Sequence, residues 1–286
     1  MEQTALAALT DQPALDALAE PLSQATRHAY EAAGTAGHVL KNAAHGVWLG
    51  HPLHPVFTDI PIGAWTTALA LDAYANGDPA MRRAATFAMG VGLAGAAAAA
   101  VTGLTDWSET SGRSRREGLL HGLLNIAATT LTATAFFRRL GNDEADGRAC
   151  AWTGYAVALC AAYLGGDLVY GQRIGVTHAV TDQPDRFTPI ATSRKVPEGG
   201  MRHVRDANTD VLLVRQHHQV CAMAHSCSHM GGPLSEGTLK EGSVVCPWHG
   251  SEFGLEDGHV INGPATEPQT IFEVREREGD IEIKAL

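Results

Sequence analysis

Two short loops constrain this chain more than anything else in it: Cys227-Ser-His229 and Cys246-Pro-Trp-His249, with sixteen residues between them. Each loop supplies one thiol and one imidazole, and glycines follow each histidine (Gly231 and Gly232, then Gly250). Those glycines let the backbone fold tightly around whatever the side chains hold. The flanking sequence reads as short β-type runs: Val211–Val214, Val220–Met223, Val244–Cys246, His259–Ile261, Ile271–Val274 and Ile281–Ile283. Gly-containing turn signals separate them, as at Glu236-Gly237, Glu241-Gly242, Asp257-Gly258, Asn262-Gly263 and Gly279-Asp280. Strands this short with turns this regular predict a small antiparallel β-sandwich.

Thiolates and imidazoles suit iron–sulfur and zinc centres. Zinc fingers keep their cysteine pair and histidine pair apart, whereas each loop here mixes the two, which weighs against zinc. One Cys and one His per loop allows one iron to take both thiolates and a second iron both imidazoles. The paired loops resemble those of the Rieske family, in its small ferredoxin-type form, over about residues 187–286. That resemblance implies a [2Fe-2S] cluster. Cys227 and Cys246 would hold the buried iron, and His229 and His249 the iron nearer the surface, where electrons enter and leave.

Departures from the family carry information too. Respiratory Rieske proteins have a further cysteine in each loop, forming a disulfide; the matching positions here are Gly232 and Trp248. They also use a Ser and a Tyr to donate hydrogen bonds towards sulfur. Ser251 keeps the first, and Phe253 replaces the second. Fewer donors stabilise the reduced, more negative cluster less, so the expected potential lies below the respiratory type. His203, His217, His218, His225 and His259 fall outside the motif and are expected on the surface or in packing. No mononuclear-iron pattern of the oxygenases accompanies the loops.

The rest of the chain has a different character. Ala84–Thr105 and Ala149–Gly166 hold no charged residue, and Gly118–Phe137 holds only His121. A bilayer core takes about 20 mostly apolar residues. With a weaker candidate near Val56–Tyr74, the expectation is four transmembrane helices at about 56–75, 84–105, 118–137 and 149–170. Gly90, Gly92, Gly95 and Gly103 suit close helix approach in a membrane. The alternative is a soluble Ala-rich bundle. Residues 1–48 read as an amphipathic helical arm with a stripe at Leu6, Leu9, Leu15, Leu18 and Leu22, broken at Pro13 and Pro21. The first nineteen residues contain no Lys or Arg, unlike a signal peptide. The expected organisation is multi-domain α plus β: the arm to 48, a four-helix membrane domain over 49–175, a linker at 176–188 and the β domain over 189–286.

The opening His51-Pro-Leu-His54-Pro resembles that of an uncharacterised family of four-helix bacterial membrane proteins, over about residues 45–175. Antiparallel crossings would gather His51, His54, Asp59, Asp106, His121, Asn125, Asp167 and His178 on one membrane face. Polar groups in a membrane are functional suspects. A haem, a metal or a quinone could bind there, or the residues could simply cap helix ends.

The formal net charge of -10 argues against nucleic acid as a partner. Five cysteines, at 150, 160, 221, 227 and 246, are too few for a disulfide scaffold. The reading is a membrane-anchored Rieske electron carrier of the bacterial inner membrane, with its β domain in the cytoplasm and a reductase or other redox protein as partner. A subunit of a redox enzyme with a haem or quinone site, and a redox sensor or scaffold, are the alternatives.

Overall fold

The computed structural model describes Thr10 and residues 12–141, 144–206 and 209–286. The chain divides into two compact units. One comprises Met1–Leu40 and Leu53–Ile174, the other Lys41–Pro52 and Gly175–Leu286. The last part of the expected arm therefore goes with the β unit.

The described helices are α1 (Asp16–Ala32), α2 (Gly34–His45), α3 (Leu53–Tyr74), α4 (Pro79–Ser108), α5 (Gly112–Leu140) and α6 (Glu144–Gly166). Short turns of helix lie at Pro13–Leu15 and Val47–Leu49, and α6 runs into a π-helical turn at Asp167–Gly171. α4 starts where its sequence says it should. Asp78 caps it by accepting the Ala80 N–H at 2.8 Å, and Pro79 opens the first turn.

Glycines then let α3 and α4 close on each other. A Cβ at Gly92 would stand 2.2 Å from Trp65 Nε1, and one at Gly95 would stand 2.5 Å from Ile60 Cγ2. Pro21 does not break the arm, contrary to expectation: α1 continues through it. Just beyond, Ser23 Oγ donates to the Ser108 carbonyl at 2.9 Å and fastens α1 to the end of α4. Leu6 and Leu9 of the expected stripe lie outside the described residues.

Among the described residues, three helices are long and apolar enough to cross a membrane: Pro79–Ser108, Gly112–Leu140 and Gly147–Gly171. The expected count of four is thus not confirmed. α3 is long enough, but it carries Asp59, Asp72, two further prolines and three threonines among its apolar residues.

Among the described residues of the β unit, ten antiparallel strands make two sheets: β1 (Thr188–Thr192), β2 (Met201–Asp206), β3 (Thr209–Gln216), β4 (Gln219–Ala224), β5 (Thr238–Lys240), β6 (Ser243–Val245), β7 (Glu252–Gly254), β8 (Val260–Asn262), β9 (Ile271–Arg277) and β10 (Asp280–Ala285). The order is β1-β10-β9-β4-β3-β2 in one sheet and β5-β6-β7-β8 in the other. β3 shows why both of its faces are apolar. Leu212 and Val214 pack with Met223, Val244 and Phe253 between the two sheets. Val211 and Leu213, on the opposite face, pack with Val196, Phe272, Ile281 and Ile283.

Candidate metal centre

The two loops leave equivalent places. The first follows β4; the second joins β6 to β7. They also fold alike. The Cys227 carbonyl accepts the Gly231 N–H at 2.8 Å, and the Cys227 N–H donates to the Gly232 carbonyl at 2.9 Å. The Cys246 carbonyl accepts the Gly250 N–H at 3.2 Å, and the Cys246 N–H donates to the Ser251 carbonyl at 2.8 Å. Gly231 and Gly250, each four residues past its cysteine, have φ of 76° and 77°, a region that favours glycine. The match runs from the cysteines, so a one-residue difference in where the histidine falls still leaves the rings together.

Both thiols are buried and hydrogen-bonded to each other. That bond, with the N–H groups of Trp248 and His249, draws the Cys246 thiol down to about 6 against the opposing effect of burial. Its partner Cys227 is pushed up by the same bond and by burial. The rings of His229 and His249 stand 5.0 Å apart at 88°. His229 Nδ1 is buried and has no hydrogen-bond partner. Burial, helped by the charges of His249, His45, His178 and Lys41, holds this imidazole well below its ordinary range, so it is neutral.

Known proteins resemble the chain over the region that carries these two loops. The sequence profile of the Rieske [2Fe-2S] domain matches residues 186–274. The ferredoxin subunit of 3-phenylpropionate/cinnamic acid dioxygenase from Photorhabdus laumondii is 33% identical over 95 residues, which is 33% of this chain and 90% of that subunit. The chain belongs to the Rieske [2Fe-2S] family.

Ferredoxin CarAc of Metapseudomonas resinovorans is 32% identical over 95 residues, covering 89% of that protein. Apoptosis-inducing factor 3 of Mus musculus is 34% identical over 92 residues, and this chain spans 15% of its length. Among solved structures, the ferredoxin of carbazole 1,9a-dioxygenase from Nocardioides aromaticivorans aligns over all of its own chain and 36% of this one, with a TM-score of 0.34 and 22% identity. Upstream of the Rieske domain, residues 50–184 match the predicted membrane protein family DUF2231.

The donor set of this Rieske domain fits a [2Fe-2S] cluster. Two buried thiols lie in contact. Beside them is a neutral imidazole whose buried Nδ1 has nothing else to bond. Ser251 is fully buried, and its Oγ accepts the Ala265 N–H at 3.0 Å, which leaves its own proton free to donate. Phe253, which donates nothing, is fully buried in the core.

Gln269 went unnoticed in the sequence. It is buried, accepts the Ser228 N–H at 3.0 Å and donates to the carbonyls of Ala224 and Ser226 at 2.7 Å each, bracing the first loop. Lys41–Pro52 was another surprise. Asn42 accepts the Gly263 N–H at 3.0 Å and donates to Asn262 at 3.1 Å, and His45 is buried. The His178 N–H donates to the Ser228 carbonyl at 2.9 Å, and its ring packs beside Gly231. The two histidine rings thus differ in setting: His229 has His45 and His178 for company, while His249 borders Trp248, which is 56% exposed.

His203 and His225, expected in packing or on the surface, stack at 3.7 Å and both face Asp210. Burial works to raise that carboxylate, but hydrogen bonds from Arg205 and His203 outweigh it and hold Asp210 below its ordinary value.

The eight residues expected on a membrane face do not form one group. His54 and His121 meet with rings 6.4 Å apart, and Asn125 bonds His121. Asp167 lies instead with Arg113, at 3.7 Å, and Gln172, which in turn bonds the fully buried Glu117 at 2.6 Å. Asp59 is exposed, and Asp106 is half-buried at the end of α4. His51 and His178 belong to the other unit. Glu117 adjoins the uncharged run that begins at Gly118, and nothing in the sequence marks it.

Proposed function

We propose that the protein is a membrane-anchored one-electron carrier of ferredoxin type, in which Cys227, Cys246, His229 and His249 hold a [2Fe-2S] cluster. The observation that carries this reading is the like folding of the two loops, which sets thiol against thiol and imidazole beside imidazole. The bound cluster supplies a centre that gains and gives up one electron.

The residues around it supply the rest. The thiols and rings position it, and Gln269 keeps the first loop in register. Ser251 has a hydroxyl proton to offer, and Phe253 excludes water. The His249 edge with Trp248 is the docking face, since an exposed aromatic beside the redox centre suits a partner's hot spot. His229, with His45 and His178 at hand, is the less accessible ligand.

The region of about 49–175 is the membrane anchor, with α3 as a fourth crossing beside the three qualifying helices. The DUF2231 match supports membrane attachment. The relatives named as dioxygenase ferredoxin subunits support a redox enzyme as acceptor, and a reductase is the donor in this reading. The three cysteines outside the cluster loops, Cys150, Cys160 and Cys221, are free thiols, which suits a Rieske domain in the reducing cytoplasm, at a bacterial inner membrane.

The test is a visible and EPR spectrum of the full-length protein, purified in detergent, oxidised and dithionite-reduced. A Rieske-type signal that disappears in His249→Ala is expected. Freshly made anaerobic protein with no iron–sulfur signal would overturn the reading.

A further inference from the structure

We infer that the helical unit holds a second metal centre, between the imidazoles of His54 on α3 and His121 on α5. It is either a haem iron or a single transition-metal ion. This stands independently of the cluster in the Rieske domain.

The tautomers come first. His54 Nδ1 lies 2.9 Å from the Ala99 carbonyl, and His121 Nδ1 lies 2.8 Å from the Ala161 carbonyl. A carbonyl only accepts, so each Nδ1 carries the proton and each Nε2 presents a lone pair. Metal-ligating histidines characteristically donate their other ring N–H to a carbonyl or carboxylate, which fixes the ring and raises its basicity.

The two seats are built alike. Each accepting carbonyl lies four residues before a glycine: Ala99 before Gly103, Ala161 before Gly165. A Cβ at Gly103 would stand 2.6 Å from His54 Cε1, and one at Gly165 would stand 3.0 Å from His121 Cε1. The α3–α4 pair and the α5–α6 pair thus use one device twice: a histidine on the first helix, a backbone carbonyl and a glycine on the second.

The two seats also face one another. The rings meet at 6.4 Å and 85°. A metal held at about 2.0 Å from two imidazole nitrogens keeps their ring centroids roughly 5–6.5 Å apart, the larger value for a nearly linear arrangement. The His229–His249 pair, at 5.0 Å and 88°, spans the other end of that range.

Helix packing alone accounts for the Nδ1 bonds. It does not account for two rings meeting with an Nε2 lone pair each, that of His121 held only by Asn125, among helices rich in Ala, Gly and Leu, where polar groups are costly. Among the described residues nothing bonds His54 Nε2. Asn125 Nδ2 donates to His121 Nε2 at 3.1 Å and to the His121 carbonyl at 3.0 Å. Its amide is the group that a metal would displace, and the second bond keeps it satisfied when it turns away.

The experiment uses full-length protein in detergent, as isolated and after incubation with hemin, Cu(II) or Zn(II). Metal content and the visible spectrum are read beside the cluster EPR signal. The expected result is one metal equivalent beyond the cluster iron. A Soret band with a low-spin spectrum identifies haem; copper or zinc without it identifies a bare ion. His54→Ala and His121→Ala should each lose that equivalent at least tenfold and keep the cluster signal. If neither variant accumulates, nitrogen couplings from two imidazoles in pulsed EPR of the haem- or copper-loaded wild type decide the matter. Wild type that takes up nothing beyond the cluster iron, variants that bind as well as wild type, or loaded protein without those couplings overturns the inference.

Discussion

Gly232 lies against the ring of Trp248: a Cβ at residue 232 would stand 3.2 Å from that ring and 2.7 Å from Cys246 Sγ. The positions that carry a disulfide in respiratory Rieske proteins are therefore neighbours here, but an indole fills the space. Gly232→Ala forces the sulfur or the indole to move, an overpacking cost of about 1–3 kcal/mol. The expected outcome is a lower melting temperature and reduced cluster content. Trp248→Ala relieves only one of the two contacts, so the double variant should regain part of the stability and little of the cluster. Full cluster content in Gly232→Ala would contradict this account.

Ser251→Ala separates two effects. Removing Oγ leaves the buried Ala265 N–H unsatisfied, at a cost of about 1–3 kcal/mol. It also removes the hydroxyl proton that we assign to the cluster. A hydrogen bond favouring the reduced state by about 1 kcal/mol corresponds to roughly 40 mV for one electron. An EPR-monitored redox titration should show the potential falling by that order. A stability loss with an unchanged potential would make Ser251 a purely structural residue.

That the two Cys–His loops come together was legible because each pairs a thiol with an imidazole at short spacing, and few residue types bind metal. The strands were half legible. Val211–Val214 and Ile271–Val274 lie within β3 and β9, but the pattern does not show β1, β2, β5 or β7: Met201–Asp206 is mostly exposed and polar, and Thr238–Lys240 and Glu252–Gly254 are three residues each. The different settings of His229 and His249 were not legible at all. They depend on Lys41–Pro52 reaching a loop more than two hundred residues away, as Asn42 reaches Gly263, and local pattern does not encode such a contact. Of the eight residues expected on one membrane face, only His54, His121 and Asn125 come together. Position along a helix gives height, but which residues meet depends on rotation about the helix axis.

Acid should destabilise the Rieske domain in a defined window. The Glu252 carboxylate accepts from Lys240 at 2.8 Å, Ser243 at 2.6 Å and Asn262 at 3.1 Å. Burial works to raise it, but these hydrogen bonds outweigh burial and hold it below its ordinary 4.5. The folded state then binds fewer protons than the unfolded chain, so this contribution is complete above 4.5 and is lost as pH falls through the lower folded value. Asp210 acts in the same direction. Melting followed by circular dichroism should show little change attributable to Glu252 from neutral pH down to about 5, then a decline. Glu252→Gln should lower the neutral plateau and flatten the acid slope. A slope that the substitution leaves untouched would remove Glu252 from the explanation.

The helical unit has its own sensitive point at Asp72 and Arg139. The guanidinium bonds both carboxylate oxygens, one at 2.8 Å and the other closer, with the side chains 2% and 5% exposed. Arg148 adds a bond to the Asp72 carbonyl at 3.4 Å. The pair joins the last turn of α3 to the last turn of α5. A buried pair gains little net energy over an apolar one, because desolvation offsets the attraction. Removing one partner is different: it strands the other charge, at a cost of about 3–5 kcal/mol. Asp72→Leu or Arg139→Leu alone should therefore sharply reduce the yield of detergent-stable protein. The double substitution should recover most of it, because no charge is left without its partner. Thermal aggregation followed by size-exclusion chromatography reads both outcomes. Equal losses in the single and double variants would mean that the two residues act separately, and that the link between α3 and α5 lies elsewhere.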